Sequence, residues 1–173
     1  MGNKFSEKKL FLILVILVVL LGIVSALEKV SATKSETPSS SPTPNFSYAT
    51  TTISTPNGAI VAQIADTPDK ATQGLSDRTS LPIGTGMLFV FSAPAPEYMW
   101  MKDMNFALDM VWLDQNKTVV YAVPNISPDT YKRNPPEIFF SPTNALYVIE
   151  LPAGDISRLG ITLGAKLNFD LTK

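Results

Sequence analysis

The 173-residue chain contains no cysteine and no histidine. Without cysteine there is no disulfide framework, no thiolate nucleophile and no thiolate metal site. Without histidine, Ser–His–Asp and Cys–His catalytic sets are impossible, and no side chain titrates near neutrality at its ordinary pKa. Acid–base chemistry would therefore fall to Asp, Glu, Lys or Tyr with a displaced pKa. A strong charge of either sign is also missing. The formal net charge is −1, with residues 1–49 carrying +2 and residues 50–173 carrying −3. A mildly acidic C-terminal region lacks the electrostatic footprint that a phosphate backbone requires, which argues against a nucleic-acid partner. Asp103, Asp109 and Asp114 could offer oxygen ligands to a hard cation, but the D-x-D-x-D-G spacing of a calcium loop is absent. Neither a metal nor a cofactor is expected.

What the chain does have begins with one greasy segment. Residues 10–27 read LFLILVILVVLLGIVSAL, 18 residues without a charge, near the lower limit for spanning a bilayer. Lys4, Lys8 and Lys9 precede it, so the N-terminus stays cytoplasmic and the remainder crosses. The expectation is a single-pass membrane anchor with the domain outside the cytoplasm. The alternative is a signal peptide cleaved after Ala26, since Val24-Ser25-Ala26 has the small residues of a cleavage site. In residues 28–49, 12 of 22 positions are Ser, Thr or Pro. Such a stretch buries too little apolar surface to order itself, and its prolines stiffen it towards polyproline II. The reading is an anchor or signal over 1–27, a Ser/Thr/Pro-rich linker over 28–47 and a β-rich domain over 48–173.

Within that domain, β-branched Thr50 to Ile53, the turn signal Pro56-Asn57-Gly58 and the apolar run 59–65 predict a hairpin. Thr67-Pro68-Asp69 predicts a helix start, with a cap, a proline at the first position and an acid in the first turn. Gly74 closes that helix. Residues 87–91 (MLFVF) are continuously apolar, as in a strand buried on both faces. Further strands are expected at 98–101, 110–113, 118–123, 145–151 and 166–170, and a helical turn or two at 153–159. A long proline-bearing loop over 124–142 is either a lid or a cover for a sheet edge. About seven strands and two short helices favour a compact β-sandwich or distorted barrel.

An ordered set of short matches adds to this. Ile64-Ala65-Asp66-Thr67-Pro68, Gln73-Gly74-Leu75-Ser76-Asp77-Arg78 and Gly86-Met87-Leu88-Phe89-Val90-Phe91 come first. Trp100-Met101-Lys102, Leu108-Asp109, the run from Tyr147 to Gly154, Leu159-Gly160-Ile161 and Gly164 follow. In this order they resemble the family called domain of unknown function 192. The resemblance implies a compact, mainly β domain often found behind a signal or anchor, and it implies no established activity. Where the family usually has W-M-[KR]-N-T and P-L-D, this chain has Asp103, Met104 and Ala107.

Four residues are candidates for ligand binding. Arg78 could clamp a carboxylate or phosphate, or form an ion pair with Asp77 or Asp109. Trp100 and Lys102 would share one face of a strand, an aromatic plate beside a cation, or else be core and rim. Asp109 sits among apolar neighbours, where a carboxylate needs a partner; that partner is Lys102, Arg78 or backbone N–H groups. The expected function is a non-catalytic module that binds a small ligand, an envelope component or a protein partner. Its rivals are a structural or assembly factor, and a hydrolase or lyase working through carboxylates and lysine. The latter needs a concave pocket holding Asp109 or Glu150 with a displaced pKa.

Overall fold

The computed structural model describes residues 46–171; the expected anchor and almost all of the linker lie outside them. Among the described residues no helix is long and apolar enough to cross a membrane. The described residues are mainly β, with eight strands and two short α-helices. The first hairpin forms as its turn chemistry dictates. Strand β1 (Thr50–Thr55) pairs antiparallel with β2 (Gly58–Ala65), the ladder closing at Thr55↔Gly58 around Pro56-Asn57. Helix α1 (Pro68–Gln73) has the expected ends. The Thr67 hydroxyl accepts from the Lys70 amide, and Gly74, at φ 48°, donates its own amide to the Lys70 carbonyl. The left-handed φ at Gly74 explains the glycine.

Six strands form one mixed sheet in the order β1-β2-β3-β8-β5-β6. Here β3 is Thr85–Ala95, β5 Leu108–Leu113, β6 Val119–Ile126 and β8 Ala145–Pro152. Four of its five pairings are antiparallel; β2 and β3 are parallel, with α1 on the crossover. The sequence does not announce this parallel pair, because a six-residue helix is short for a β-α-β unit. A second, two-stranded sheet joins β4 (Tyr98–Met99) to β7 (Phe139–Phe140). The long loop expected over 124–142 thus contributes β7, a strand not among those expected from the sequence. The expected strand at 166–170 is reduced to isolated bridges, Thr118↔Lys166 and Ser54↔Asn168. Those bridges tie the C-terminal segment to β1 and to the start of β6, the two edge strands of the large sheet. Helix α2 (Asp155–Arg158) follows β8.

Alternation along the central strands sorts the core onto two faces. Leu88, Val111, Ile149 and Leu151 pack on one face with Ile53, Ile60 and Leu167. Met87, Phe89, Met110, Trp112 and Val148 pack on the other. Every residue of β5 is buried, so this strand reads as an unbroken apolar run interrupted by Asp109. In β8 all but Leu146 and Pro152 are buried, and Glu150 interrupts its apolar run.

Candidate functional site

The two interrupting acids point opposite ways. In the ladders Asp109 faces Leu151, whereas Glu150 faces Met87 on one side and Met110 on the other. Asp109 therefore belongs to the Leu151 face and Glu150 to the methionine face.

Asp109 is fully buried, and each of its carboxyl oxygens accepts a backbone N–H. Oδ1 accepts the Asn125 amide and Oδ2 the Ile156 amide, both at 2.8 Å. It thereby fastens β5 to the end of β6 and to the first turn of α2. Of the pairings considered from sequence, the backbone one is realised, and neither Lys102 nor Arg78 reaches it.

Glu150 is 4% exposed and has no such partners. Among the described residues no side-chain or backbone hydrogen bond reaches its carboxyl, and the Arg78 charge is the one favourable influence. Burial pushes its pKa from 4.5 up to about 8, against the opposing pull of Arg78. At neutral pH Glu150 is thus mostly a neutral carboxylic acid, able to donate one hydrogen bond.

The carboxyl lies in a cleft of about 150 Å³ between the exit of α1 and the stretch that follows β4. Phe89, Phe91, Tyr98 and Trp100 supply aromatic walls, Gly74 to Ser76 one rim and Lys102 another. Two loops are zipped together to build it. The Ser76 hydroxyl donates to the Lys102 carbonyl at 3.0 Å, the Asp77 amide to the Asp103 carbonyl at 2.8 Å, and the Asn105 side-chain amide to the Arg78 carbonyl at 3.0 Å. Asp77 and Asp103 sit at φ 64° and 54°, a conformation that Asp and Asn tolerate better than most residues. The Asp at 103, where the family usually has Asn, keeps that backbone preference.

Of the four candidates, the structure brings Trp100 and Lys102 to the cleft. Trp100 is 43% exposed, and the intervening Met101 is buried. Residues 100–102 lie beyond the end of β4, yet the alternation persists. Lys102 is half-exposed and lies 3.9 Å from Asp103. Arg78 stands behind the cleft. Its guanidinium donates to the Gln63 side chain at 2.7 Å and lies 5.9 Å from the Tyr48 ring centre. Among the described residues it forms no ion pair, and the expected pairing with Asp77 or Asp109 is absent. Gln63, Met87, Glu150 and Met110 are consecutive neighbours across the sheet, which places Arg78 and Glu150 over one face. Asp109 is not part of this cluster. The sequence points to Glu150 for the rival chemistry alone, through one acid inside the apolar run ALYVIEL.

Comparison with known proteins agrees with the fold. No curated protein matches the chain. A crystal structure from Sinorhizobium meliloti 1021, of a protein with the provisional label of transcription regulator, is similar with a TM-score of 0.65 and 30% identity; the match covers 73% of this chain and 98% of that one. A protein of unknown function from Novosphingobium aromaticivorans DSM 12444 is similar with a TM-score of 0.62 and 25% identity, covering 74% and 89%. The DUF192 family, described as uncharacterized ACR, matches residues 49–169. The chain is a member of that DUF192 family.

Proposed function

We propose that the domain is an extracytoplasmic, membrane-tethered module that binds a small ligand, without turning it over, in the cleft above Glu150. One observation carries this reading. A buried carboxylic acid with no hydrogen-bond partner among the described residues opens into an aromatic-walled cleft. A fold does not need such a group, because an unpaired buried acid destabilises it, so the acid's place is explained by what it meets in the cleft. Trp100 and Lys102 form the wall and rim, Arg78 sets the local potential, and Asp109 holds the scaffold. The membrane location rests on the 18-residue charge-free run behind Lys4, Lys8 and Lys9. A nucleic-acid role, which the label of the Sinorhizobium protein would suggest, is disfavoured by the −3 charge of residues 50–173.

A fragment screen by protein-observed NMR on the full chain in detergent tests the binding reading. Hits should perturb residues 74–76 and 98–104; hits scattered elsewhere would reject the cleft. Location is tested through the missing cysteines. A single Ser47→Cys change at an exposed position should react with a membrane-impermeant maleimide in intact spheroplasts. Labelling that requires lysis would reject the extracytoplasmic placement. Mass spectrometry of the native N-terminus separates anchor from cleaved signal.

The raised pKa of Glu150 favours a second reading, in which Glu150 is a general acid or base. Turnover in an activity screen, abolished by Glu150→Gln, would select it over pure binding.

A further inference from the structure

The sign of charge at the cleft narrows the ligand, on the reading that the cleft is a ligand site. Three groups decide it. Lys102 carries a positive charge at the rim, offset partly by Asp103 at 3.9 Å. Arg78 carries a second charge, with an amide and an aromatic ring as its partners rather than a carboxylate. Glu150, the one acid lining the cleft, keeps its proton at neutral pH and contributes no negative charge. Of the strands flanking Glu150, β3 carries no ionisable residue, and the one acid of β5, Asp109, points to the opposite face. The cross-strand neighbours of Glu150 are Met87 and Met110, and Tyr98 on β4 is the remaining titratable wall residue. The site is therefore net positive. A ligand ammonium would meet Lys102 at the rim and no ionised acid in the lining, whereas a carboxylate would be attracted by Lys102 and would find an O–H donor in Glu150. Size and shape add a second limit. About 150 Å³ matches an apolar cavity that holds one benzene, and the walls are aromatic.

We propose that the cleft binds a small anion built on one planar ring, an aromatic carboxylate in class, with the ring between Trp100 and the phenylalanines and the acid group held by Lys102 and the Glu150 hydroxyl. Ionising Glu150 places a like charge in the site, so binding weakens as pH rises through its pKa.

The test is ¹⁹F NMR of three probes, 4-fluorobenzoate, 4-fluorobenzylamine and 4-fluorobenzyl alcohol, against the full chain in detergent with protein-free micelles as the blank. The benzoate should bind most tightly. Its affinity should fall about tenfold between roughly pH 7 and pH 9, the change in the protonated fraction of a group with pKa about 8. Glu150→Gln should retain binding and lose that pH dependence, and Lys102→Met should weaken the benzoate severalfold without improving the alcohol. Tighter binding of the amine, or an unchanged pH profile in Glu150→Gln, overturns the anion assignment. If the amine or alcohol binds and responds to Glu150→Gln or Trp100→Ala, the cleft remains the ligand site and only the charge class falls. If no probe responds to either substitution, both readings fall.

Discussion

Replacing Glu150 by Gln should stabilise the protein, and increasingly so as the pH rises. The carboxyl has an ordinary pKa of 4.5 and a folded-state value of about 8. Between those two pH values the unfolded chain has released this proton and the folded chain has kept it. The folded state then binds more protons, so stability falls as pH rises through the window and levels off above about pH 8. Each tenfold step in the protonation equilibrium is about 1.4 kcal/mol. The full window therefore costs the wild type roughly 5 kcal/mol, of which about 3 kcal/mol is already lost at pH 7. Gln has nearly the same shape and no charge, so the variant escapes this loss. The two proteins should be of similar stability near pH 4.5, and Glu150→Gln should be the more stable by about 3 kcal/mol at pH 7. Urea unfolding of the full chain in detergent measures this, read by the fluorescence of the fully buried Trp112. With a slope of about 1.5 kcal/mol per molar urea, the midpoint should rise by about 2 M at neutral pH. Parallel pH–stability curves for the two proteins would refute the reasoning, because they would mean that Glu150 titrates alike in both states.

Two further substitutions probe the frame around the cleft. Asp109→Ala removes the acceptor of the Asn125 and Ile156 amides and should cost about 2–4 kcal/mol in urea unfolding, while the folded fraction binds cleft ligands as before; a loss under about 1 kcal/mol would contradict the scaffold role. Gly86→Ala would bring a Cβ to 2.8 Å from the Glu150 carbonyl oxygen. That atom belongs to the β3–β8 ladder and cannot step aside, so the substitution should lower stability by about 2 kcal/mol or more, and an unchanged urea midpoint would argue against this close approach.

Much of the fold was legible because its signals are local. The Pro56-Asn57-Gly58 turn, the Thr67-Pro68 helix start with Gly74 at its end, and the apolar run at 87–91 each specify their own geometry, and each appears where the residues place it. What was not legible depends on distant pairing. The parallel contact of β2 with β3 has no local signature. Phe139-Phe140 becomes a strand only because Tyr98-Met99 lies beside it. The site divides in the same way. The exposure of Trp100 and Lys102 around buried Met101 follows from alternation alone. Asp109 and Glu150 look equivalent in the sequence, since each is a lone acid in an apolar run. Their difference arises from register. One faces Leu151 and meets two free amides at the start of α2 and the end of β6, and the other faces Met87 and Met110 and opens into the cleft. Arg78 likewise finds Gln63, fifteen residues away in sequence, because the parallel pair brings β2 to the exit of α1.

Ligand binding in the cleft depends on Glu150 being a carboxylic acid that the protein leaves protonated. The direct measurement is a ¹³C NMR titration of glutamate side-chain carboxyls in the full chain, with the Glu150 signal assigned by its disappearance in Glu150→Gln. A midpoint near 8, against the ordinary 4.5, is the predicted result. A midpoint between about 4 and 5 would mean that the group is solvated or paired, and would contradict the reading of the cleft.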